Sequence, residues 1–300
     1  MGSKLKEILK PVQEVLDYDA LREEYERKPL ASVVSEIRDK YAEKSGGFTF
    51  SMRNVNGKWL YFIEAYGNEC FWPSYLSAYF YCAKNLWLRH KLRATIVGER
   101  GLRGIARGFR VHDLYAEYLK KQGLNIETEV YIRAFDYFGV NIDGYVDILV
   151  EGSIPVEVKS GFRELLGHKL QAMLYAELLG GDYVYVVYPH KVVYVRVNSD
   201  LLYTYIQRVL KVIKLKEPPP EPPVKKNSKG EWVNPCNKCE IRPLCRKYPS
   251  GFKSWDEFLA FIGEFPRGEE CRNCPHLSYC RSFKALHGDY PCQSKQGTLF

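Results

Sequence analysis

The chain lacks a long apolar run: nothing in its 300 residues approaches the roughly 20 consecutive apolar residues of a membrane-spanning helix. No membrane partner is therefore expected. The opening 1-MGSKLKEILK-10 has no apolar core of the kind a secretory signal carries, so a cytoplasmic location is expected. Methionine is scarce, with 3 residues, while Glu, Lys and Tyr are favoured, a composition leaning towards a thermophile. Disulfides are not expected either. There are nine cysteines, but without a secretory signal they point to metal or cluster binding.

What is present is ordinary for a globular chain, at 46% apolar and 27% charged residues, with a net charge of +8. That charge leans mildly towards a polyanionic partner. It is concentrated between Lys84 and Lys121, where ten Lys/Arg face three Asp/Glu. Within it Arg100, Arg103, Arg107 and Arg110 recur at three and four residues, so a helix puts them on one face. That face is either solvated or a set of phosphate contacts.

Periodicity divides the chain into three parts. Residues 1–65 read as an extension of two helices, Lys4–Leu16 and Asp19–Tyr41, then a hairpin of Phe48–Met52 and Lys58–Glu64 around Asn56-Gly57. No chemistry is evident there. Residues 66–216 read as an α/β core with a mixed sheet. It begins with a helix over Pro73–Arg93 and the Arg-rich segment. Strands follow at Glu127–Arg133, near Val140, at Tyr145–Glu151 and at Pro155–Lys159. A helix over Arg163–Leu179, two strands in 183–197 and a helix over Leu201–Ile213 complete it. Residues 217–300 open with the extended Pro-rich linker 217-EPPPEPPVKK-226 and continue into a cysteine-rich region whose few apolar residues call for a metal staple.

The hairpin 144-GYVDILVEGSIPVEVKSG-161 interrupts its apolar alternation with Asp147, Glu157 and Lys159. Residues two apart on a strand share a face, so Glu157 and Lys159 are neighbours and Asp147, on the preceding strand, can reach them. Two converging carboxylates suit a hard divalent ion such as Mg²⁺ or Mn²⁺. A lysine beside them can orient or deprotonate a water. A surface ion pair on an edge strand is the plainer alternative.

Gly144–Asp147, then Glu157-Val158-Lys159, then Gln171 and Tyr175 on the next helix resemble the motifs of the PD-(D/E)XK nuclease superfamily in its RecB-like branch. The resemblance implies a restriction-endonuclease-like core, a mixed central sheet flanked by helices. His112 matches the upstream histidine of that branch and is implied as a metal ligand beside Asp147, Glu157 and the Val158 carbonyl; imidazole favours Mn²⁺. Gln171 and Tyr175 are implied to position substrate phosphate or Lys159.

One subgroup of that branch, the CRISPR-associated RecB-like exonucleases, carries a [4Fe–4S] cluster on one cysteine before the core and C-x2-C-x5-C after it. Cys82 and then Cys236, Cys239 and Cys245 are similar to that arrangement, over roughly residues 70–248. The resemblance implies metal-dependent cleavage of single-stranded DNA or DNA ends, before spacer integration, with a CRISPR integrase as partner. A repair or viral DNA-processing nuclease and a non-catalytic DNA-binding structural protein remain alternatives.

The chain departs from that subgroup in its extension and in a repeat of the triplet, Cys271, Cys274 and Cys280, 35 residues later. With Cys292 these suit a second cluster or Zn²⁺, with His276 and His287 as spare ligands. The repeat is alternatively the partner of Cys82. Cys70 is left over as a buried small hydrophobe. The final 296-QGTLF-300 resembles sliding-clamp-binding peptides, with Leu299 and Phe300 as the apolar plug; folding of these two residues back onto the core is the alternative.

Overall fold

The structure, a computed structural model, describes residues 2–45, 48–55, 58–65, 70–220, 225–226, 232–233 and 235–246. Asn56-Gly57, the second cysteine group (Cys271, Cys274, Cys280, Cys292), His276, His287 and the tail with Leu299 and Phe300 lie outside the described residues.

In chain order the elements are α1 (Gly2–Ile8), α2 (Val12–Val15), α3 (Tyr18–Arg27), α4 (Leu30–Ser45), β1 (Phe48–Val55), β2 (Lys58–Ala65), α5 (Ser74–Tyr81), α6 (Ala83–Leu92), β3 (Ala94–Val97) and α7 (Glu99–Lys121). They continue with β4 (Ile126–Tyr137), β5 (Val140–Val150), β6 (Ile154–Val158), α8 (Leu166–Leu178), β7 (Tyr183–Val187), β8 (Val192–Arg196) and α9 (Ser199–Ile213). The short β9 (Lys225–Lys226), β10 (Trp232–Val233), a 3-10 turn at Pro235–Lys238 and α10 (Arg242–Arg246) complete them. None of the helices is long and apolar enough to cross a membrane, among the described residues.

Each of the two helices expected in the extension is two. Pro11 ends the first and Pro29 the second, because proline has no N–H to donate and its ring crowds the carbonyl four residues back. The helix expected over Pro73–Arg93 also breaks. Cys82 has extended backbone (φ −168, ψ 115) and serves as the residue before α6. The Pro-rich segment, expected as a plain extended linker, contributes β9, which pairs antiparallel with β10.

The chain forms two compact units. The first holds the described residues of Met1–Arg27, Asn68–Tyr81 and Gly104–Lys214; the second holds those of Lys28–Gly67, Cys82–Arg103 and Leu215–Phe300. The segment 1–65, expected to stand apart, is thus divided between them. In the first unit Val12 N–H donates to the Tyr188 carbonyl and Tyr115 Oη–H to the Lys10 carbonyl, which bind the first turns to the core.

The sheet of the first unit is five-stranded and mixed, in the order β4-β5-β6-β7-β8. Its pairs are antiparallel except β6–β7, which is parallel, and α8 makes that crossover. The β5–β6 connection turns at Glu151 (φ 52) and Gly152 (φ 66), two successive left-handed residues as a tight hairpin requires. Burial explains the apolar runs: β6 and nearly all of β7 are buried. Gly167 allows α8 to lie on α5, since a Cβ there would stand 2.6 Å from the Leu76 carbonyl oxygen. The second unit carries the antiparallel sheet β1-β2-β3, with α4 packed on β1 and α6 on β3.

Candidate functional site

The alternation of β5 and β6 and the start of α8 bring Asp147, Glu157, Lys159 and Gln171 to one place in the first unit. Glu157 is 2% exposed, and Asp147 and Gln171 are buried. Lys159 Nζ lies 2.5 Å from Glu157 Oε1 and 3.3 Å from Gln171 Oε1. Gln171 Nε2 donates to Glu157 Oε1 at 2.9 Å, so the amide holds both partners of the ion pair. Asp147 Oδ2 accepts the Val158 N–H at 2.9 Å, which fastens β5 to the end of β6.

His112, on α7, donates from Nε2 to the Val158 carbonyl at 2.8 Å, because a carbonyl can only accept. Its Nδ1 stands 3.4 Å from Asp147 Oδ1. The Val158 carbonyl, expected to face a metal, is therefore engaged by the histidine. Tyr175 is buried one turn after Gln171. It explains the glycine of the Gly144–Asp147 motif: a Cβ at Gly144 would stand 3.0 Å from the Tyr175 ring.

Electrostatics follow from burial. Desolvation pushes the Glu157 carboxyl up, to about 7; Asp147 adds to the rise, and Lys159 and His112 oppose it. Burial acts to lower the Lys159 ammonium, but Glu157 and Asp147 outweigh it and hold its pKa above the ordinary value. Lys159 is therefore a charged donor at neutral pH, better placed to orient a water or phosphate oxygen than to remove a proton. Burial, then Glu157 and Asp147, push the Tyr175 phenol well up.

As placed, no three His, Cys, Asp or Glu side chains among the described residues form a metal-holding group. Lys159 covers Glu157 Oε1 and the Val158 amide covers Asp147 Oδ2. Glu157 Oε2, however, is buried with no hydrogen-bond partner among the described residues. A buried carboxylate oxygen without a partner, next to a second carboxylate, fits a hard divalent cation.

In the second unit, Cys245 has Cys82, Cys236 and Cys239 in its electrostatic neighbourhood. The Cys245 thiol is pushed up to about 12 by burial, then by Cys239 and Cys82, with Cys236 contributing and Lys84 opposing. The five described cysteines form no disulfides. These four thiols, from two distant stretches, have the donor chemistry of a thiolate-bound cluster or zinc, although as placed they do not form a ligand group.

The arginine face is not uniform. Arg103 is held by Glu99 at 2.7 Å and by the Lys28 carbonyl at 2.6 Å, unlike the exposed Arg100 and Arg110. Arg100 and Arg110 are exposed, and Arg107 is half-buried with its guanidinium 5.7 Å from the Tyr18 ring centroid. Cys70 is half-buried rather than buried, and it lies beside a polar group. Burial and a hydrogen bond with Asp143 push its thiol up to about 11. Asp143 itself is locked by Arg133 at 2.7 and 3.0 Å.

Sequence reasoning missed Ser77, whose Oγ donates to Gln171 Oε1 at 2.7 Å and steadies the amide. It also missed Glu240, whose carboxylate accepts the Arg100 and Gly101 amides at 3.0 and 2.8 Å, at the start of α7. Neither carries a local signal, because each acts on a residue more than 90 positions away.

No family model matches the chain. A solved structure described as "Crystal structure of SSO0001" is similar at 15% identity and a TM-score of 0.40, covering 62% of this chain and 89% of that one.

Proposed function

We propose that the chain is a metal-dependent deoxyribonuclease of the PD-(D/E)XK superfamily in its RecB-like branch, acting on single-stranded DNA or DNA ends. The observation that carries this reading is the pair of contact groups Glu157–Lys159–Gln171 and Asp147–His112 on adjoining strands and helices, with Glu157 Oε2 buried and without a hydrogen-bond partner among the described residues. Asp147, Glu157 and His112 would hold Mn²⁺ or Mg²⁺. Such an ion polarises a phosphoryl oxygen and lowers the pKa of a bound water. The remaining work belongs to the chain's own residues. Lys159, kept charged by two carboxylates, donates to an oxygen of the attacked phosphate or of the water. Gln171, steadied by Ser77, holds Lys159 and Glu157 in register. Tyr175, beneath Gly144, keeps the motif glycine and the helix in contact.

Cys82, Cys236, Cys239 and Cys245 bind a [4Fe–4S] cluster in this reading, and the activity serves to trim DNA before CRISPR spacer integration, beside an integrase. The test is incubation of end-labelled single- and double-stranded DNA with anaerobically purified protein and Mn²⁺ or Mg²⁺. Metal-dependent shortening is expected. Intact DNA with both ions would overturn the proposal.

A further inference from the structure

We propose that Phe162 is a stacking ledge for a nucleobase of single-stranded nucleic acid, beside the carboxylate site; as a substrate subsite it rests on the nuclease reading. The segment Ser160-Gly161-Phe162-Arg163 leaves β6 directly after Lys159. Three residues of chain keep the Phe162 Cα within about 11 Å of the Lys159 Cα. A group bound on the ring is thus within reach of a phosphate at the carboxylates.

Phe162 is 45% exposed, yet its ring is held in place. His190 stacks on it, with centroids 5.9 Å apart and planes at 21°, and Tyr18 meets it edge-on at 5.5 Å. The Tyr18 hydroxyl donates to the Ser160 carbonyl and so fixes the loop at its root. On the other side Glu164 is anchored to Lys191 at 2.5 Å and to His190 at 3.5 Å. A large apolar ring presented to water on a loop tied at both ends is preorganised for a flat ligand, and ordering it adds little to the cost of binding.

Charge selects the ligand. Arg107 lies over Tyr18, and its buried Nε has no hydrogen-bond partner among the described residues. Arg163, next to Phe162, is exposed. The one carboxylate of the loop, Glu164, is matched by Lys191 and His190. An exposed aromatic ring with one arginine next to it in the chain and another over the neighbouring Tyr18 offers what single strands use, a ring for bases and cations for phosphates. A duplex hides its base faces and would gain nothing from the ring. The substrate class is therefore a single strand or an unpaired end.

The experiment measures binding of the full chain, without added divalent ion, to a fluorescent oligothymidylate and to the same backbone with abasic residues. Phe162→Ala and Phe162→Leu, the latter keeping apolar volume, are each expected to weaken oligothymidylate binding about tenfold or more. Both should bind the abasic strand as the parent does, and Phe162→Trp should retain the preference for bases. Parental affinity of both variants for oligothymidylate would overturn the proposal. So would an equal loss on both strands, or a parent that binds neither. Cleavage by the parent in Mn²⁺, scored separately, tells the two ideas apart. Cleavage without a Phe162-dependent base preference sinks the ledge alone. A Phe162-dependent preference without cleavage sinks the nuclease reading alone.

Discussion

Glu157 is the residue on which most of the site turns. In the folded chain its carboxyl is pushed up from 4.5 to about 7, first because it is buried and then because Asp147 is close. Below pH 4.5 it is protonated in both folded and unfolded states. Between 4.5 and 7 the folded state keeps a proton that the unfolded state has lost, so this contribution to stability falls as pH rises, and above 7 the loss is complete. The full effect is at most about 3 kcal/mol. Urea unfolding of the parent and of Glu157→Gln from pH 4 to 8 measures it. The difference between the two curves should run in that direction, and a flat difference would remove the buried repulsion from the account. The same residue belongs to the proposed chemistry. Asp147→Ala, Glu157→Ala and Lys159→Ala are each expected to cut DNA cleavage about 10³-fold or more, the effect of losing several kcal/mol of transition-state stabilisation. Full activity in Lys159→Ala would remove the charged-donor role.

At the scale of elements, α7 begins on a side chain from the far end of the described chain. Glu240 takes the amides of Arg100 and Gly101, two of the donors that a helix start leaves without a partner. Its carboxylate also suits the positive end of the helix. Gly98 makes room for it, since a Cβ there would stand 2.8 Å from the Glu240 side chain. Glu240→Ala should therefore cost about 1 kcal/mol, the usual worth of a cap. Gly98→Ala should displace the same side chain. Denaturant unfolding of both single variants and the double variant forms a cycle in which the double is little worse than the poorer single. Simple additivity would mean that the two positions act apart.

For the whole molecule, the consequential feature is that the second unit is assembled from separated stretches, with Cys82 in the middle one and Cys236, Cys239 and Cys245 in the last. A cluster on these four would cross-link stretches 154 residues apart. The anaerobic protein is expected to be brown, with broad absorbance near about 400 nm, and Cys82→Ala to lose it. Elemental analysis should give about four irons per chain for one such cluster, and about eight if Cys271, Cys274, Cys280 and Cys292 hold another. Zinc with no iron would overturn the cluster.

The sequence by itself determined what depends on a few consecutive residues. Alternation put Glu157 and Lys159 on one side of β6, and the Glu151-Gly152 turn returned β5 upon it. The coarse α/β order of elements was legible for the same reason, because periods of 2 and 3.6 are local. The prolines at 11 and 29 were equally local signals, and their breaks were open to a closer reading. Only the tertiary structure decided the partners. It gave the Val158 carbonyl to His112, Arg103 to Glu99 and Lys28, and Cys70 to the neighbourhood of Asp143. It broke the helix at Cys82, put that thiol in the electrostatic neighbourhood of Cys245, and divided residues 1–65 between two units. Spacing says which residues share a face, but which donor meets which acceptor depends on segments tens of residues apart packing together.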